Sequence, residues 1–137
     1  MNDVVINKIQ SIQRCINRAR EEYTLAGASF KTNLTHQDAA ILNLTRACEQ
    51  SIDLANYIIK NKKLGIPNQS SDSFEFLAEH GLLTPNLAEK LVKMTGFCNT
   101  AVHQYQKLNI DIVVSIIEKG LNDLIDFTDV ILDIRPE

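Results

Sequence analysis

The stretch Ile41-Leu42-Asn43-Leu44-Thr45-Arg46-Ala47-Cys48-Glu49-Gln50-Ser51-Ile52-Asp53-Leu54-Ala55-Asn56-Tyr57-Ile58-Ile59 decides the fold class. Ile41, Leu44, Cys48, Ile52, Ala55 and Ile59 recur three or four residues apart, which puts them on one face of a helix. A strand would instead alternate apolar and polar residues, and no such alternation is sustained anywhere in the chain. Thr35 followed three residues later by Asp38 is a variant of the capping box and opens this helix. Lys60, Lys62 and Lys63 complement the negative pole at its far end, and Gly65 and Pro67 stop it near Lys63.

The same period extends in both directions. Val5, Ile9, Ile12, Ile16 and Tyr23 form the stripe of a first helix from about Asp3 to Leu25, after which Gly27 lets the chain turn. Beyond the polar loop Asn68-Gln69-Ser70-Ser71, Asp72 with Glu75 caps a short helix that buries Phe74 and Leu77 and closes at Gly81. Thr84-Pro85 is a cap followed by proline at the first helical position, which starts a helix through Leu87, Leu91 and Met94 toward His103. Asn109 caps a last helix with the stripe Val113, Ile116, Ile117, Leu121, Leu124 and Ile131, ending near Pro136. The expected fold is all-α: an up-and-down bundle of four long helices and one short one, in a single domain spanning residues 1–137.

Composition excludes several classes of function. Of the 137 residues, 45% are apolar and 23% charged, the balance of a globular chain, and no apolar run has the roughly 18 to 20 residues of a membrane helix. The start Met1-Asn2-Asp3-Val4 does not resemble a signal peptide, so a cytoplasmic location is expected. A net charge of −3 argues against coating nucleic acid through a bulk positive field. That average hides an asymmetry: from Asp111 onward there are seven acids against two bases, whereas the preceding stretch holds twelve bases and ten acids. Arg14, Arg18 and Arg20 cluster early, so any RNA contact has to be local, and a solvated helix face is the plainer reading of that cluster. Cys15, Cys48 and Cys98 are odd in number and widely spaced, which suggests neither a disulfide framework nor a metal site; Cys15 and Cys48 read as small buried side chains. His36 and His80 adjoin helix ends and read as surface or cap residues.

Chemistry concentrates in Gly96-Phe97-Cys98-Asn99-Thr100-Ala101-Val102-His103-Gln104-Tyr105. Asn99 and His103 are four apart and share one helix face, a turn removed, and Tyr105 falls where the helix ends. An amide, an imidazole and a phenol there can bind phosphate or move a proton near neutral pH. Spacing alone is equally consistent with a structural histidine hydrogen-bonded between helices.

This segment resembles the R-N-x-x-x-H-x-Y signature of the HepT-like toxins of the HEPN class. The similarity extends through Leu42-Asn43-Leu44, Cys48 to Ala55, Leu64-Gly65-Ile66-Pro67, Asp72-Ser73-Phe74 and Leu108-Asn109-Ile110-Asp111. The resemblance implies a metal-independent endoribonuclease without a cofactor, in which the motifs of two subunits meet at a homodimer interface and RNA is cut by attack of the ribose 2′-hydroxyl. Carried over, His103 is the general acid or base and Asn99 orients groups or holds a phosphate oxygen. Cys98 stands where the family has arginine. A neutral thiol cannot stabilise the charge that builds on the phosphorane, and a loss of this kind typically costs on the order of 100- to 1,000-fold in rate. Arg46 is a candidate substitute for the missing guanidinium. Cys98 is compatible with natural drift and with a detoxifying substitution alike.

The resemblance also implies a partner, a minimal nucleotidyltransferase antitoxin that transfers AMP from ATP to Tyr105. A bulky anion beside His103 blocks the cleft and repels RNA phosphates. The alternative is a non-catalytic HEPN interaction module that binds the nucleotidyltransferase without cutting RNA.

Overall fold

The computed structural model describes residues 3–67, 72–103 and 109–134. Among them the chain forms α1 (Asp3–Ala26), a 3-10 turn (Gly27–Ser29), α2 (Leu34–Asn61), α3 (Asp72–Glu79), α4 (Pro85–His103), α5 (Ile110–Ser115), a π-helical segment (Ile116–Gly120) and α6 (Leu121–Asp133). No strand occurs among the described residues. The expected all-α bundle is observed. No helix among the described residues is long and apolar enough to cross a membrane.

The stripes meet in one core. α1 and α2 form a long hairpin, the most extensive pairing in the molecule, and α2 also packs against α3 and α4. Ile12, Leu44, Leu54, Leu77, Leu91, Leu121 and Leu124 are fully buried, each side chain contributing about 1.5 to 3 kcal/mol relative to exposure. Phe74 of α3 meets Phe127 of α6 edge to face, with ring centroids 5.3 Å apart, so the short helix is tied to the far end of the chain. Polar contacts hold α1 against the C-terminal helices: the Tyr23 hydroxyl donates to Glu118 at 2.7 Å and the Arg20 guanidinium to Asn122 at 2.9 Å.

Local signals place most helix ends. Thr84 Oγ1 accepts from Leu87 N at 3.2 Å, with Pro85 opening α4, and Asn109 Oδ1 accepts from Asp111 N at 2.9 Å to open α5. Two expectations need correction. The cap of α2 is Asn33, whose Oδ1 accepts from His36 N at 3.1 Å. The helix therefore starts at Leu34, ahead of the Thr35–Asp38 pair, because asparagine in an extended conformation caps more strongly than threonine. The last helix is one unbroken rod, but its middle turn is π rather than α. That turn sits where a Cβ on Gly120 would lie 3.0 Å from Met94 Cε of α4, so a side chain at 120 needs the end of Met94 to give way by a few tenths of an ångström. The loop Asn68–Ser71 and the expected end at Pro136 lie outside the described residues.

The turn after α2 uses glycine out of necessity. Gly65 has φ +137°, and a Cβ there would fall 2.8 Å from the Phe76 ring, so only glycine lets the backbone lie against α3.

Candidate functional site

α4 carries the segment singled out by sequence, and its register separates the residues there. Cys98 is buried, 3% exposed, while Asn99, one residue on, is exposed. A step of one residue rotates about 100° around a helix, and a step of four returns to nearly the same face. His103 is the last residue of α4, four residues after Asn99. The His103 side chain and Tyr105 lie outside the described residues.

Cys98 is directed into the bundle. Its Sγ meets that of Cys48 on α2 as a disulfide, with Cα atoms 6.7 Å apart and 50 residues between them in sequence. This corrects the expectation that the cysteines form no bridge. Spacing rules detect metal knuckles and short loops, whereas this pair is assembled by packing α4 onto α2. Cys48 is 1% exposed, so neither sulfur is open to attack by a thiolate in solution. Cys15 is the free cysteine among the described residues, and burial pushes its thiol above the ordinary range, against the opposing pull of Arg14 and Arg46.

The position of the signature arginine therefore holds an uncharged, buried sulfur, unable to offer phosphate a charge-assisted hydrogen bond. Arg46 does not replace it. Arg46 lies two residues from Cys48, about 200° around α2, and lines a groove with Arg14 and Arg18 of α1. It belongs to the opposite side of the helix from the bridge.

At the turn end of the α1–α2 hairpin, Arg18 donates to Glu22 at 2.7 Å and to Glu21 at 2.9 Å, and the His36 ring pairs with Glu22. His36 and Arg18 together hold the Glu22 carboxyl below its usual range. His36 is thus a helix-end residue, as its place in the sequence suggested, with a carboxylate partner that spacing does not reveal. His80 Nδ1 lies 2.9 Å from the Phe76 carbonyl at the end of α3, the expected cap role.

Residues 12–131 match the family model described as Ribonuclease HepT-like. The chain is 50% identical over 131 residues to the mRNA nuclease HepT of Shewanella oneidensis, an alignment that covers 96% of this chain and 98% of the relative. A solved structure of the tri-AMPylated Shewanella oneidensis HEPN toxin in complex with MNT antitoxin is similar at a TM-score of 0.91 and 49% identity, covering 96% of this chain and 98% of that one. A toxin–antitoxin complex with AMP-PNP matches equally well, at a TM-score of 0.91 and 49% identity. The cytosolic protein YutE of Bacillus subtilis shares the fold at 18% identity and a TM-score of 0.71, covering 90% of this chain and 87% of that one.

Proposed function

The chain belongs to the HepT-like ribonuclease family, and from that premise we propose that it is the toxin of a HEPN–nucleotidyltransferase toxin–antitoxin pair, a metal-independent endoribonuclease of the cytoplasm. The proposed unit is a homodimer of single-domain subunits, each spanning residues 1–137, with the exposed side of α4 from each facing the cleft. The observation that supports this reading is the exposure of Asn99 on α4, with His103 following four residues later at the end of the same helix. Two such faces related by a twofold axis bring four polar groups around one phosphodiester.

In the proposed reaction the 2′-hydroxyl of one ribose attacks the adjacent phosphorus. The 5′-oxygen of the next nucleotide leaves, and a 2′,3′-cyclic phosphate remains. One His103 imidazole takes the proton of the attacking hydroxyl and its symmetry mate gives one to the leaving oxygen, a pairing suited to a group that titrates near neutral pH. Asn99 holds a non-bridging oxygen. The charge gained by those oxygens has no guanidinium at position 98, so cleavage by this chain is slow compared with a member that keeps the arginine. Transfer of AMP to Tyr105 by the antitoxin adds an anion beside the cleft and silences what activity is left.

The test compares cleavage of a defined messenger RNA by the native chain, Cys98→Arg and His103→Ala. Cys98→Arg is expected to cut about 100- to 1,000-fold faster than the native chain, and His103→Ala to leave RNA intact. If Cys98→Arg keeps the native helical fold by circular dichroism yet cuts no RNA and is harmless to cells, the nuclease reading fails, because a folded chain that carries the guanidinium should cleave. A second reading is favoured by the sealed, uncharged sulfur at position 98: a HEPN module that keeps the nucleotidyltransferase contact and has lost cleavage. Its signature is stable co-purification with the nucleotidyltransferase and no toxicity from any variant.

A further inference from the structure

Between α1 and α2, on the side away from Cys98, lies an open groove of about 650 Å³. Arg14 and Arg18 project into it from one helix, and Asn43, Arg46, Glu49 and Gln50 from the other. Arg14 and Arg18 are one turn apart, as are Arg46 and Gln50, so each helix lends a single ridge and the two ridges face each other. Arg18 is already paired with Glu21 and Glu22. Arg14 and Arg46 are exposed, and among the described residues neither enters an ion pair. Both line the same groove, as does the buried Cys15.

Two guanidiniums that line one groove outside any ion pair repel each other, and an anion bound between them relieves that repulsion. The rest of the lining is polar: the Gln50 amide can donate to anionic oxygens, the Asn43 amide already donates to the Ala39 carbonyl at 2.9 Å, and Glu49 is the one carboxylate among the described lining residues. Among the described residues no aromatic side chain lines the groove, so none of them stacks on a base there. What remains is recognition of a charged, repeating backbone, which positions a strand without specifying it.

We propose that the α1–α2 groove binds the phosphodiester backbone of RNA, with Arg14 and Arg46 as the principal contacts and Arg18 as a weaker one. The identity of the ligand rests on the nuclease reading above; the anion-binding character of the groove does not. The groove supplies a local positive site on a chain whose net charge is −3. It anchors the substrate at a distance from the position where the signature charge is missing.

The experiment measures binding of a labelled, unstructured single-stranded RNA to the His103→Ala chain across a potassium chloride series, so that cleavage does not interfere. Changing Arg14 and Arg46 together to alanine is expected to weaken binding tenfold or more. The salt slope should fall by about 0.7 for each arginine removed. Glu49→Gln should tighten binding, and the double lysine variant should retain most of it. Thermal unfolding controls for structure, since exposed substitutions here shift stability by no more than about 0.5 kcal/mol. Unchanged affinity and slope in the double alanine variant overturn the proposal, as does absence of RNA binding by the His103→Ala chain. Displacement of RNA by saturating ATP, with ATP binding lost in the double alanine variant, overturns it in favour of a free-nucleotide site. Groove-dependent RNA binding together with an inert Cys98→Arg leaves the groove standing and removes the nuclease reading. Cleavage by Cys98→Arg with groove-independent binding does the reverse.

Discussion

Cys48 and Arg46 are two residues apart on α2, yet they belong to different worlds. On the Cys48 side the helix is sealed against α4 and linked to it by a disulfide next to Asn99. On the Arg46 side it opens, with α1, into a groove of charged and amide groups. The family signature expects its positive charge on the first side, at position 98. In this chain that position is buried and neutral, and Arg14 and Arg46, which enter no ion pair among the described residues, lie on the second side. Rigidity and charge have thus been separated around a single helix, which predicts that the two sides respond to different perturbations.

The largest expected effect sharpens the sealed side. The Cys48–Cys98 bridge closes a loop of 50 residues, and in the chain-entropy account a crosslink of that span contributes about 4 kcal/mol. Reduction in denaturant followed by refolding in reductant should lower the thermal midpoint by about 10 to 15 °C, and under non-reducing conditions the intact mass should be two hydrogens lighter than that of the reduced chain. A midpoint indifferent to reductant, with full thiol content, would show the sulfurs to be unbonded in solution and would weaken the contrast between the sides.

A smaller effect is expected at Gly120. The methyl of Gly120→Ala must share space with the flexible end of Met94 and with Ile116; the overpacking cost of about 1 to 3 kcal/mol is offset by about 1 kcal/mol of helix propensity, which leaves a net loss of at most about 2 kcal/mol. Urea unfolding checks it, and Met94→Ala in the same chain should restore part of the loss by removing the colliding group. A neutral Gly120→Ala would show that α4 can shift on the C-terminal rod, and the sealed side would then be less rigid than its packing suggests.

The smallest effect belongs to the α1–α2 hairpin, where Glu22 is held below the usual carboxylate range by the His36 ring and Arg18. A depressed folded-state pKa contributes stability above the unfolded-state value, and this is lost as pH falls through the folded one. Replacing Glu22 with glutamine should therefore lower the urea midpoint at neutral pH, and the difference from the native chain should vanish under acid conditions. A difference that persists unchanged in acid would show that the carboxylate charge is not what stabilises the hairpin turn.

The reach of the sequence differs between these regions for a physical reason. Helices were legible because their signals are local: the stripe from Ile41 to Ile59, proline at position 85 behind Thr84, and Asn109 ahead of Asp111 each act within a turn or two. Spacing does not separate Asn33 from Thr35 as the cap, because the two lie close together and the choice depends on which backbone conformation is extended. The π segment was invisible for a related reason, since one widened turn leaves the apolar stripe of the rod nearly intact. Of the candidate site, the register of Asn99 and His103 could be read from spacing, whereas the partner of Cys98 could not. Arg14, Arg18 and Arg46 were visible as bases, but no spacing rule joins residues on two helices into one groove.

The sequence by itself determined that this chain is helical, where its helices begin and end to within a residue or two, and which family its signature resembles, because periodicity, capping and motif order are properties of neighbours along the chain. Only the tertiary structure decided that Cys98 faces Cys48 and that Arg46 faces Arg14. Those relations depend on the rotation of each helix about its axis once all the stripes are buried together, and no stretch of sequence contains that information alone.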